Sequence, residues 1–301
     1  MDFGKLDDIS QVNFTLPPTH PFTQKVLTGT PAASPRIYVG PPIWSNREWL
    51  GKLYPSNAKE KEFLYHYARQ FNTIELNVTH YQIPTDTTLR KWQEAVTREF
   101  RFCPKWPQAI SHEAELVGAT QLTNQFVEAM LSLEHNLGTT FLQLSPAFDP
   151  TKLPALEHFL KSLPDGFPIA VEFRHPAWFS DEYQWQRTLE VLRAQGAGTV
   201  MTDVAGRRDV LHMALTSPTF TLRFVGNELH PTDYARTHAW IDRLGQWLAQ
   251  GLQEAYIFIH LHENILSPEL TKYWVDTLNE QLGLAVEPPV LRPQAVQGTL
   301  F

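Results

Sequence analysis

The sequence predicts a single α/β domain, a (β/α)8 TIM-barrel-like fold, preceded by an irregular N-terminal arm. Three observations carry this prediction. Eight short β-branched or aromatic runs recur at a mean spacing of about 31 residues, the size of a βα unit. The segments between most of them have helical periodicity. Neither G-x-G-x-x-G nor G-x-x-x-x-G-K-[ST] occurs, whereas the competing open doubly wound sheet would usually announce a Gly-rich phosphate loop. The 301 residues would fit two average domains, but one barrel of about 250 residues uses most of them.

Residues 1–35 read as the arm. Pro17, Pro18, Pro21, Pro31 and Pro35 oppose a regular helix there. Phe3, Phe14, Phe22 and Leu27 are too apolar for a free tail, so the arm is expected to lie on the surface of the domain formed by 36–301. Strands are expected at Arg36–Gly40, Asn72–Asn77, Phe100–Lys105, Thr139–Leu144, Pro168–Phe173, Gly198–Asp203, Thr219–Phe224 and Ala255–Leu261. Helical stripes fall in 59–71, 87–97, 120–137, 153–162, 181–195, 232–250 and 268–282. Between the sixth and seventh strands the connection is short, so its helix is expected to be small or degenerate.

The charge and composition exclude several classes. The formal charge of −7 argues against non-specific nucleic-acid binding, although a local basic cleft remains compatible with it. The single Cys103 rules out an intrachain disulfide framework and a multi-Cys zinc site. Its strand position beside Pro104 favours an inert core thiol over a nucleophile. No apolar run approaches the roughly 18 residues of a membrane span, and the acidic start lacks the apolar core of a secretory signal. The expected location is the cytoplasm, and no membrane partner is expected.

In a barrel, the C-terminal ends of the strands build the site. The polar residues that fall there are Glu75, Asn77, Lys105, Gln143, Glu172, Arg174, His175, Asp203, Arg223, His260 and His262. Spacing two recurs in Glu75/Asn77, Glu172/Arg174 and His260/His262. Alternate residues of a strand share a face, which turns Leu76, Phe173 and Leu261 to the helices and the polar set inward. Charges sunk there are costly unless paired or used. The bland reading is that Glu172–Arg174 only fills a layer. Aromatics follow the strands at Trp44, Trp49, Tyr81, Trp106, Trp178 and Phe179; they suit either a pocket wall or the sealing of loops, the latter equally for Trp49 and Trp178. His66, His135 and His158 sit on expected helices and read as solvated. The sequons at Asn13 and Asn77 carry no meaning in this setting.

Four stretches carry a family resemblance: Asn72–Pro84, Phe102–His112, Gln143–Phe148 and Ala170–Phe179. Through them the chain resembles the YecE-like family (domain of unknown function family 72), over about residue 36 to about 283. The resemblance implies a TIM-barrel-like fold and no established activity. Two places depart from the family pattern. The first strand runs into Gly40-Pro-Pro-Ile-Trp44 in place of a Gly-Thr-Ser-Gly-Trp-like turn. The eighth ends in Ile259-His-Leu-His-Glu-Asn264 in place of a Tyr-Phe-Asn-Asn-like motif.

Three functions remain open on the residues alone. The first is metal-free acid–base catalysis on a small anionic or polyhydroxy substrate bearing a phosphate or carboxylate. Glu75 and Glu172 would be the acid/base pair, with His175 and Asp203 also catalytic. Lys105, Arg174 and Arg223 would hold the anion, with Asn77, Gln143, Trp44, Tyr81 and His262 completing the binding set. No cofactor is called for by this reading. The second is a metal-dependent hydrolase, such as a phosphodiesterase acting on nucleic acid, with a divalent metal on His260, His262, Glu75, Glu172, His175 and Asp203. The three cations would repel such an ion. The third is a non-catalytic binding or adaptor protein. The oligomeric state is not legible.

Overall fold

A computed structural model describes residues 4–292; Phe3 and residues 293–301 lie outside the described residues. Strands stand at all eight expected places: β1 (Arg36–Gly40), β2 (Thr73–Leu76), β3 (Arg101–Pro104), β4 (Thr140–Gln143), β5 (Ile169–Glu172), β6 (Gly198–Asp203), β7 (Thr219–Val225) and β8 (Glu254–His260). Helices α1 (Phe63–Tyr67), α2 (Asp86–Ala95), α3 (Thr120–Leu131), α4 (Leu153–Lys161), α5 (Glu182–Ala194), α6 (Pro231–Ala249) and α7 (Ser267–Leu282) alternate with them. Between β6 and β7 there is only a short 3-10 segment, Ala205–Val210, as the short connection predicts.

The result is an α/β fold with a parallel sheet of six strands, ordered β1-β8-β7-β6-β5-β4, and a parallel pair β2-β3. Two seams separate the pair from the sheet. At the β3–β4 seam, parallel bridges join Phe102 to Leu137 and Lys105 to Phe141. At the β1–β2 seam a side chain does what a ladder would do. Asn72 Oδ1 accepts from the Val39 N–H at 2.8 Å, and Asn72 Nδ2 donates to the Ile37 carbonyl at 2.8 Å. The Tyr67 hydroxyl lies across the same seam, within hydrogen-bond distance of the carbonyls of Pro41 and Thr73. Gly40 is required there, because a Cβ would stand 2.2 Å from the Thr73 carbonyl oxygen.

The helices bury their apolar stripes against the outer faces of the strands. Leu76, Phe173 and Leu261 all lie in this core, as alternation requires. Tryptophans supply much of the packing: Trp49, Trp106, Trp178, Trp240, Trp247 and Trp274 are fully buried. The indole N–H of Trp178 donates to the Phe148 carbonyl, and that of Trp49 to Asn264. Both rings therefore seal loops.

The arm packs along α6 and the segments around β6 and β7. Phe22 and Leu27 are buried, the His20 N–H donates to Met213, and Arg243 donates to the Pro17 carbonyl. Pro21–Lys25 forms one 3-10 turn, capped by His20. Among the described residues, no helix is long and apolar enough to cross a membrane.

The Asn72 bridge makes a testable claim. Asn72→Ala leaves a strand N–H and a carbonyl without partners, at a cost of about 1–3 kcal/mol each if they stay dry. The urea midpoint is expected to fall with the m-value unchanged. An unchanged midpoint would show that the seam does not depend on this side chain.

Candidate functional site

The C-terminal ends of the strands gather a buried ionic network. Its centre is Arg223 on β7, fully buried. Its Nε donates to Glu75 Oε2 at 2.8 Å and its Nη2 to Glu75 Oε1 at 3.1 Å, a bidentate pair. Its Nη1 donates to both oxygens of Glu172 at 3.3 Å. One guanidinium thus ties β2, β7 and β5 together.

Each carboxylate has further donors. Glu75 accepts from Asn77 Nδ2 at 2.9 Å and lies 2.9 Å from His260 Nε2. Glu172 accepts from Gln143 Nε2 at 3.1 Å and from the Thr202 hydroxyl at 2.7 Å. Arg174 completes it through Nε and Nη2, at 3.2 and 3.1 Å. The spacing-two reading is therefore realised in Glu75/Asn77 and Glu172/Arg174, whose members bond one another. Thr202 was not singled out from the sequence. A hydroxyl in a β-branched run looks like strand filler, and only the fold shows what it faces.

These donors set the charges. Burial alone would raise both carboxyl pKa values. For Glu75, Arg223 and His260 outweigh burial and hold it well below the usual carboxylate range. For Glu172, Arg174 and Arg223 bring it down to about 2. Burial lowers the pKa of His260 despite Glu75, so its ring is neutral. A carboxylate only accepts, which puts the proton on Nε2 and leaves Nδ1 as an acceptor.

Lys105 follows β3 and stands apart. It is 6% exposed. Among the described residues, its ammonium makes no hydrogen bond or ion pair. The Phe141 ring lies 5.6 Å from Nζ, and the same ring lies 5.1 Å from the Arg223 guanidinium. Burial and the charge of Arg223 push Lys105 down to about 8, against the pull of Glu75 and Glu172. Two imidazoles flank it. His80 is 2.8 Å from the Trp106 carbonyl through Nδ1, and His112 is 2.8 Å from the Ser111 hydroxyl through Nδ1. Their rings are 5.3 Å apart. Burial and Lys105 push His80 down to about 4 and lower His112. Neither histidine was singled out: both sit on short helical turns after the strands, Asn77–His80 and Ala109–Glu113, beyond the strand ends.

Other expected members lie elsewhere. Asp203 was expected in the ring, but strand alternation points Thr202 inward and Asp203 outward. It accepts from Arg236 at 3.2 Å and from the Trp240 indole at 2.7 Å, and it pairs with Arg208. This is a buried structural network against α6. His175 is half-buried and accepts from the Ala177 N–H at 3.2 Å, capping the 3-10 turn Pro176–Phe179. Tyr81 is 79% exposed and lines a separate cavity of about 340 Å³ with His80 and Gln108. Trp106 is core. Trp44 lines a cavity of about 230 Å³ with Pro42, Glu75 and Asn77. His262 and His260 line an adjoining one of about 120 Å³, which shares Pro42, Ile43 and Asn77 with the first. Among the described residues no group of three or more His, Cys, Asp or Glu side chains is placed to hold a metal ion. Cys103 is fully buried and burial pushes its thiol up.

Comparisons with known proteins agree with one another. The family described as "Protein of unknown function DUF72" matches residues 38–295. The UPF0759 protein YecE of Escherichia coli K12 is 34% identical over 283 residues, covering 88% of this chain and 100% of that protein. The UPF0759 protein YunF of Bacillus subtilis is 26% identical over 167 residues, 53% of this chain and 58% of that one. Crystal structures of DUF72 family proteins from Enterococcus faecalis and Thermotoga maritima share the fold. Their TM-scores are 0.65 and 0.62, at 19% and 23% identity, covering 84% and 83% of this chain and all of theirs.

The lowered carboxyl pKa makes stability acid-sensitive. The folded state holds Glu172 ionised more strongly than the unfolded chain does. Its contribution is full above pH 4.5 and is lost as the pH falls toward 2. Glu172→Gln leaves Arg223 and Arg174 short of a partner and is expected to cost about 3–5 kcal/mol at pH 7. The urea midpoints of the two proteins should converge as the pH is lowered. A constant offset would contradict the assignment.

Proposed function

The chain belongs to the DUF72 family of proteins of unknown function, and from that premise we propose that its eight strands close into a (β/α)8 barrel whose mouth performs acid–base chemistry on a small oxyanion-bearing substrate. Closure is supported by the two bridged seams. It is supported further by Arg223, whose partners lie on β2 and β5, in different sheets. Strands of both sheets wrapped around one interior would let a single guanidinium reach both.

The single observation that carries the chemistry is Lys105. A buried ammonium without an acceptor is an unstable arrangement unless a ligand uses it. The network around it holds three cations, Lys105, Arg174 and Arg223, against the carboxylates of Glu75 and Glu172. This surplus favours an anion. Phosphate and carboxylate both match the planar donors of Arg174. Glu75 and Glu172 stay ionised through the neutral range, so they orient the cations. Proton transfer then falls to Lys105, which titrates near pH 8, with neutral His80, His112 and His260 as acceptors or relays. The cavity beside Trp44 and Asn77 is the approach.

Sulfate, whose charge is constant from pH 6 to 10, is a suitable probe. It is expected to raise the melting temperature, with an affinity that falls as pH rises through about 8 and Lys105 loses its proton. Lys105→Met should melt higher than the wild type without sulfate, because a desolvated charge is gone. It should lose the sulfate-dependent gain. A Lys105→Met protein that is less stable and binds sulfate as before would overturn the reading.

A further inference from the structure

The opposite end of the strands holds a further cavity, of about 530 Å³. Residues at or just before the strand starts line it, among them Arg101, Thr139, Gly198 and Glu254. Barrel interiors are ordinarily filled by layers of bulky branched side chains. Here the facing positions are small or polar: Gly138, Thr139, Ala170, Gly198, Ser217 and Thr221. The space lies below an apolar layer of Phe141, Val200, Cys103 and Phe258. That layer parts it from the ionic network, since Phe141 carries Arg223 and Lys105 on its other side.

Two features show that this is more than a packing gap. Thr221 is 1% exposed, lines the cavity, and its hydroxyl has no hydrogen-bond partner among the described residues. Its place on β7 explains its direction. Alternate residues Thr221 and Arg223 share the inner face, so the hydroxyl points inward one step below the guanidinium. Leaving a buried hydroxyl unsatisfied costs about 1–3 kcal/mol, and a threonine is not needed to fill that volume. The second feature is Arg101. Its Nη1 donates to the carbonyls of Arg98 and Phe100, and its guanidinium stands 5.5 Å from the Tyr38 ring. No carboxylate pairs with it among the described residues. Two acidic residues share the rim: Glu254 is engaged by Arg36 at 3.0 Å, and Glu134, 75% exposed, lies 4.0 Å from His135. Tyr38 stacks on Tyr256 at 4.8 Å, and Tyr256 forms part of the wall.

We propose that this cavity is a second small-molecule site, separate from the mouth, which takes a hydroxyl-bearing monoanion with its oxyanion on Arg101 and its hydroxyl on Thr221. The volume lies within the usual range for small-ligand pockets, about 300–1,000 Å³. With Glu254 engaged by Arg36 and Glu134 turned out to solvent, Arg101 is the cation at this rim left to meet a carboxylate.

Calorimetric titration of the whole protein with gluconate, a polyhydroxy monocarboxylate, tests the site, with sorbitol as its uncharged counterpart. Gluconate is expected to bind and sorbitol to bind at least tenfold more weakly. Thr221→Val is isosteric, so it should leave the fold as stable as before or more so, and weaken gluconate at least tenfold. Arg101→Gln should weaken it further. With sulfate present to fill the mouth, gluconate should still bind this cavity with unchanged affinity. Absence of gluconate binding would overturn the proposal. So would binding that survives Thr221→Val and Arg101→Gln, or binding that is lost when sulfate fills the mouth.

Discussion

The structure depends on one buried guanidinium. Arg223 stands fully shielded from solvent between Glu75 and Glu172. Bare charges in such a place would cost several kcal/mol each. They are tolerated because every charged group in the trio has a partner of opposite sign and further hydrogen bonds. Asn77 and His260 complete Glu75, while Gln143, Thr202 and Arg174 complete Glu172. The two carboxylates belong to different sheets, so the pair β2-β3 and the six-stranded sheet must hold their relative positions for the network to exist.

That constraint decides what chemistry is left over. A carboxylate locked by guanidinium groups no longer exchanges protons near neutral pH. In the proposed function, the acid/base pair suggested by the sequence therefore serves as scaffolding for cations, and Lys105 and the neutral imidazoles carry the titration. Arg174 and Arg223 bring Glu172 down to about 2 against its burial, whereas burial pushes Lys105, which has no such partner, down to about 8. Partnering therefore separates the two groups more than depth does.

Much of this was legible in the sequence. The strand beat located all eight strands, because βα units repeat at nearly constant length and a β-branched run differs from a helical stripe in period. Spacing two located Glu75/Asn77 and Glu172/Arg174, since strand geometry fixes which side chains share a face. Asp203, with no polar neighbour at spacing two, entered the ring only as a strand end, and alternation turns Thr202 to Glu172 and Asp203 to Trp240. His80 and His112 were not legible because the short turns that carry them, Asn77–His80 and Ala109–Glu113, are too brief to show a period. Asn72 looked like the first residue of a strand, yet it joins two strands through its side chain. The lower cavity was hidden for a different reason. It is formed by small residues from many strands, none unusual alone.

The central claim is that Lys105 is a desolvated ammonium facing an arginine-rich network, ready to take an anion or a proton. Titration of the Lys105 side chain by NMR in isotopically labelled protein tests this most directly. The account predicts a midpoint near pH 8. A midpoint at the ordinary lysine value of 10.5 would contradict it.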